Sequence, residues 1–150
     1  MKTGDLALVF VATLICIGIA PLPVYGGNIP PATGPALYWI DPHHNFSFLH
    51  RVYTDGSDKE LLMPYPGEGF GIAIDINSGK VYWTDKDNGD IRRGGIEGGG
   101  VESPLVSGLS NPTDIDLDVS NAKMYWAEAS LAIKRADLDG SNIETLVAPP

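Results

Sequence analysis

Cysteine is almost absent. The 150 residues hold one, Cys16, and it lies inside an apolar N-terminal run. A disulfide framework and a thiolate metal site are therefore excluded, and so is a cysteine nucleophile once that run is removed. Basic charge is also scarce: 10 Lys and Arg stand against 19 Asp and Glu, for a formal net charge of −9. Nucleic acid is thereby excluded as a partner, because phosphate binding needs a clustered basic surface. Arg92-Arg93 and Lys134-Arg135 make no such cluster, since neighbours on a strand point to opposite faces. Sustained helical periodicity is missing after residue 26. Also missing are a Gly-x-Ser-x-Gly elbow, a phosphate-binding loop and a zinc-helix motif.

What is present suits short strands and turns. Hydrophobic residues make up 43%, enough for a core, and Gly 18 and Pro 12 are high for a helical protein. Residues 1–26 read as a signal peptide. Lys2 opens it, Leu6 to Ala20 is apolar apart from Thr13, and the small Val24 and Gly26 suit a cleavage site. The apolar run is about 15 residues, short of the roughly 20 of a membrane span, with an uncleaved anchor as the alternative. This places the chain as secreted or on the extracellular face of a membrane. The sequon Asn45-Phe46-Ser47 makes Asn45 a candidate glycosylation site. Residues 27–35 form a Pro/Gly-rich lead-in.

Beyond residue 36 the chain repeats itself. Leu37-Tyr38-Trp39-Ile40-Asp41, Val81-Tyr82-Trp83-Thr84-Asp85 and Met124-Tyr125-Trp126-Ala127-Glu128 recur at a period of about 43 residues. A second segment follows each: Leu49-His50-Arg51, Ile91-Arg92-Arg93 and Ile133-Lys134-Arg135. A Gly-containing turn and an apolar end close each copy. Copies two and three also have a leading segment, in which Ile72 and Ile74, and Ile115 and Leu117, alternate as in a strand buried on one face. A full repeat is thus four short strands, the size of one propeller blade. The expected boundaries are a partial blade at 36–63 and blades at 70–107 and 113–148, within a propeller region 36–150. Tyr and Trp fill the space between sheets. Asp41, Asp85 and Glu128 are expected to be structural, bonded to backbone or to an arginine such as Arg51, Arg93 or Arg135. Recurrence once per blade argues for scaffold over chemistry.

Val81-Tyr82-Trp83-Thr84-Asp85, with Ile133 to Asn142 as the remainder of the repeat, resembles the YWTD repeats of low-density-lipoprotein-receptor-type propellers. The resemblance covers residues 36–148. It implies an all-β fold, with β-propeller blades of four antiparallel strands, about three of an expected six. It also implies a binding module for another protein, as in cell-surface receptors and nidogen-like matrix proteins. Copy one lacks a leading strand, since Asn28 to Pro35 holds three prolines. In the family the chain often enters at the second strand of the first blade, and the missing strand arrives from the far C-terminus. The expected outcomes are a fragment of a longer chain, a homodimer whose two half-rings complete a six-bladed ring head to tail, or an open arc.

A runner-up reading is a hydrolase of lactonase-like type. Asp114, Asp116 and Asp118 alternate on one face of the third copy's leading strand, and three carboxylates together could hold Ca²⁺. Asp85 to Asp90 has calcium-loop spacing, but Ile96 stands where the bidentate Glu belongs. Asp41, His43 and His44 are of metal-ligand type, but a turn after Pro42 is the preferred reading. No other cofactor is implied, and the protein ligand is not identified by the residues.

Overall fold

Strands form here where apolar and polar residues alternate, and stop where Gly, Asn and Asp accumulate. The computed structural model describes residues 8–10, 15–18, 35–43, 46–98, 100–102, 104–129 and 131–149. The first sheet consists of β1 (Leu8–Phe10), β2 (Ile15–Gly18), β3 (Ala36–His43), β4 (Phe46–Tyr53) and β5 (Glu60–Pro66) in chain order. The second holds β6 (Gly69–Asp75), β7 (Lys80–Asp85) and β8 (Asp90–Gly95). The third holds β9 (Pro112–Asp118), β10 (Lys123–Glu128), β11 (Ile133–Asp137) and β12 (Glu144–Val147). Every pairing is antiparallel. The one helical element among the described residues is a 3-10 turn at Val119–Asn121.

The three Tyr-Trp strands keep one register against their inner neighbours. Trp39 faces Ile15, Trp83 faces Ile72 and Trp126 faces Ile115. Tyr38, Tyr82 and Tyr125 correspondingly face Cys16, Ala73 and Asp116. The gap expected beside β3 is therefore filled by β2. Its Ile15-Cys16-Ile17 supplies the same alternation as Ile72-Ala73-Ile74. This strand falls inside the segment with the features of a leader.

Burial shows how the sheets stack. In the first sheet Tyr38, Ile40 and Leu49 are buried, while Leu37, Trp39, Phe48 and Val52 on the other face are half-buried. In the second, Val81 to Asp85 are buried on both faces. In the third, Met124, Trp126 and Glu128 are buried, while Tyr125 and Ala127 are half-buried. The second sheet is thus sandwiched. One core joins Tyr38, Ile40 and Leu49 to Ile72, Val81 and Trp83, and the other joins Ala73, Tyr82 and Ile91 to Ile115, Met124 and Trp126. Close approach depends on Gly71, where an added Cβ would stand 2.7 Å from the Thr113 carbonyl oxygen.

Four strands per blade does not hold throughout. Among the described residues the second sheet has three, with an isolated bridge between Ile91 and Val106 in the place of a fourth. Glu102 N donates to Arg93 O and Leu105 N to Ile91 O, but Pro104 between them has no N–H to continue the ladder.

Candidate functional site

A row of three side chains crosses each blade. Tyr38, Tyr82 and Tyr125 pair in register with Arg51, Arg93 and Arg135. Each arginine then clamps a glutamate nine residues on: Arg51 Nη2 to Glu60 at 2.5 Å, Arg93 Nη2 to Glu102 at 2.6 Å, Arg135 Nη2 to Glu144 at 2.8 Å. Two of the rows reach onward to the next blade. Arg51 Nη1 donates to Glu97 at 2.9 Å, while Arg93 Nη1 and the Tyr82 hydroxyl donate to the Leu138 carbonyl at 3.1 and 3.3 Å. Burial works against the charge of Arg51, but its bonds to Glu97 and Glu60 outweigh it and raise the pKa. The arginines thus act as ties within and between blades.

The carboxylates that end each Tyr-Trp segment take other partners. Asp85 is fully buried and accepts from Asn88 N at 3.1 Å and Asn88 Nδ2 at 2.6 Å, closing the turn into β8. Its cationic neighbour is Arg92, at 3.8 Å, rather than Arg93. Glu128 pairs with Lys134 at 2.8 Å and accepts from Trp126 Nε1 at 3.4 Å. Asp41 is exposed. Thr84 joins two blades: its hydroxyl accepts from Gly71 N at 2.7 Å and donates to the Thr113 carbonyl at 3.0 Å.

Asp114, Asp116 and Asp118 do not assemble as a ligand set. Asp118 caps the 3-10 turn, accepting from Ser120 Oγ at 2.7 Å, Asn121 N at 3.1 Å and Asn121 Nδ2 at 2.7 Å. Asp114 and Asp116 each accept from the next backbone N–H, at 3.0 and 2.8 Å. Among the described residues no group of three His, Cys, Asp or Glu side chains is placed to hold a metal ion. Asn45 and His44 lie outside the described residues.

The clamp on Glu102 gives a pH dependence. Hydrogen bonds from Arg93, then from Lys80, hold its pKa below the ordinary glutamate value. A lowered carboxylate pKa stabilises the fold above the unfolded-state value, and that stability is lost as pH falls through the folded-state value. The Glu102 contribution to the melting temperature is expected to be constant above about pH 5 and to fall below it. Glu102→Gln should flatten part of that acid slope, and an unaltered slope would show the clamp to be inert.

Comparison with known proteins identifies the repeat. No protein-family model matches the chain. Mouse Nidogen-2 is 38% identical over 98 residues, which are 64% of this chain and 7% of Nidogen-2. Protein cueball from Drosophila grimshawi is 28% identical over 121 residues, 74% of this chain and 20% of cueball. The solved nidogen/laminin complex contains a chain similar at TM-score 0.67 and 24% identity, over 75% of this chain and 43% of that one. These are YWTD-type β-propeller blades. A gluconolactonase from Xanthomonas campestris shares the fold at TM-score 0.62 and 15% identity, over 79% of this chain and 45% of that one. That likeness is one of fold alone. The YWTD-type chain thus spans a fifth or less of these curated relatives and under half of either solved chain.

A YWTD-type blade offers two kinds of surface, the turns at its rims and the face of a sheet that no neighbour covers. The rim turns are held rigid by their own aspartates. Asp55 accepts from Ser57 N at 2.8 Å, Asp75 from Asn77 N at 3.1 Å and Asp139 from Ser141 N at 2.9 Å. Among the described residues, the sheet faces around Trp39 and around Tyr125 have no further sheet against them. The sequence reading missed the Arg-Glu ties. Their signal was there to find: an Arg and a Glu nine residues apart in all three copies.

Proposed function

We propose that the chain is a secreted, non-enzymatic module that binds another protein, released by cleavage of residues 1–26. The observation that carries this is how the recurring polar side chains are spent. The arginines, Asp85, Glu128 and Thr84 all hold strands or blades together. The rim turns remain as contact surface, and these suit a protein ligand. The similarity to Nidogen-2 and the laminin-bound state of the solved nidogen favour an extracellular protein as that ligand. Asn45 is proposed as a glycan acceptor on the same grounds of secretion.

Two measurements test the reading. The secreted chain, immobilised and exposed to a panel of extracellular matrix proteins that includes laminin, should bind at least one of them saturably. Its thermal midpoint should be unchanged by calcium or by a chelator. A calcium-dependent rise in that midpoint, lost in Asp116→Ala and accompanied by lactone hydrolysis, would instead support the hydrolase reading.

A further inference from the structure

The two ends of the stack are complementary. Leu49, Ile91 and Ile133 occupy equivalent places on the second strand of each repeat, and each pairs in register with the residue two after its tyrosine. Leu49 is 4% exposed and Ile91 0%, but Ile133 is 43% exposed. Tyr38 and Tyr82 are likewise buried where Tyr125 is half-buried. The third sheet therefore keeps the apolar face that the first and second sheets use to receive a Trp from the following blade. Tyr125, Ala127, Ile133 and Asp116 line a hollow of about 160 Å³ there. Their counterparts Tyr82, Ile91 and Ala73 pack with Trp126 in the second core. The matching Trp is Trp39, at the other end of the same chain. It is half-buried, stacked on His50 at a ring distance of 5.0 Å, with Lys59 Nζ 5.5 Å from its ring centre.

One feature selects which Trp-bearing sheet can dock. The second sheet has Gly71 and Ala73 on its inner strand, so the Thr113–Ile115 backbone can approach closely. The third sheet has Asp114 and Asp116 at those places. A blade with its inner strand in place would collide with both carboxylates and bury their charge. A blade without that strand leaves room for them, and its bare edge offers unpaired backbone N–H groups as donors. The first sheet of a chain that has lost residues 1–26 is such a blade, because β2 goes with them.

We propose that the Tyr125–Ile133 face of the third sheet docks on the Trp39 face of the first sheet in a second copy of the cleaved chain, with Asp114 and Asp116 entering the slot left by β2. The contact is head to tail, so two chains can make it twice and close on each other. This rests on the secreted, leader-cleaved reading, and N-terminal sequencing of the same sample separates failure of that reading from failure of this one.

The test is the mass of the product secreted when residues 1–150 are expressed, by light scattering after size-exclusion chromatography. The wild type is expected to be a dimer. Ile133→Asp and Trp39→Glu, both at partly exposed positions, should each be a folded monomer by circular dichroism. Mixed one to one they should again give a dimer, because one intact contact of each pair is restored. Asp114→Gly combined with Asp116→Ala should weaken association by at least about tenfold, about 1.4 kcal/mol. A monomeric wild type, or a dimer indifferent to Trp39→Glu as in a symmetric pairing of third sheets, overturns the proposal. Tighter or unchanged association in the double aspartate variant overturns the role of the slot.

Discussion

Trp83→Ala is expected to lower the unfolding free energy by about 3–5 kcal/mol, the range for deleting a large buried aromatic. The residue is 3% exposed and lies in the core that joins the first two sheets. Its loss leaves Tyr38, Ile40 and Leu49 facing a void that the strands cannot close without giving up register. Trp39→Ala is the internal comparison. It removes the same side chain from the same place in the repeat, but from a face with no following or preceding sheet among the described residues. Its effect on a single chain should be clearly smaller, and should grow with chain concentration where a second copy covers it. Urea unfolding of both variants, with the slope checked against wild type, measures the difference. Equal losses would mean that the first sheet's Trp face is as deeply packed as the second's.

Gly71→Val should have the second-largest effect. Gly71 is buried, and an added Cβ would meet only backbone: Thr113 O at 2.7 Å, Asp114 Cα at 2.8 Å and Ile115 N at 2.9 Å. Backbone cannot swing aside as a flexible side chain can. The second and third sheets must therefore separate, loosening Trp126 and weakening the Thr84 bridge to Thr113. A loss of about 1–3 kcal/mol is the usual result of overpacking, and a site bounded by backbone belongs at the upper end. Gly100→Val has nothing within 4 Å of the added Cβ and serves as the control. Comparable melting temperatures for the two variants would rule out close packing at Gly71.

The repeat was legible because its largest side chains mark it. Tyr-Trp at a constant interval marked three blades, and the structure holds three antiparallel sheets, though of five, three and four strands. The Arg-Glu ties were less visible, since their two ends lie on different strands and the outer strand changes composition from copy to copy: Glu60-Leu61, Glu102-Ser103 and Glu144-Thr145. The Asp114–Asp116–Asp118 set is drawn apart for a local reason. Ser120 and Asn121 follow Asp118 closely enough to take its carboxylate into a turn, as Asn77 and Ser78 do for Asp75. The reduction of the second sheet's fourth strand to a bridge, among the described residues, goes with Gly98, Gly100 and Pro104 in that segment. The strand at Ile15–Gly18 could not be read, because an apolar leader and an apolar strand share a composition.

The central claim is that three blades stack in sequence order, Trp83 and Trp126 each entering the Tyr face of the blade before it. A crystal structure of the secreted chain tests this most directly. The account predicts Trp83 against Tyr38, Ile40 and Leu49, and Trp126 against Tyr82 and Ile91, with the second sheet covered on both faces. Sheets joined edge to edge, or a two-layer sandwich in which Trp83 packs against the third sheet, would contradict it.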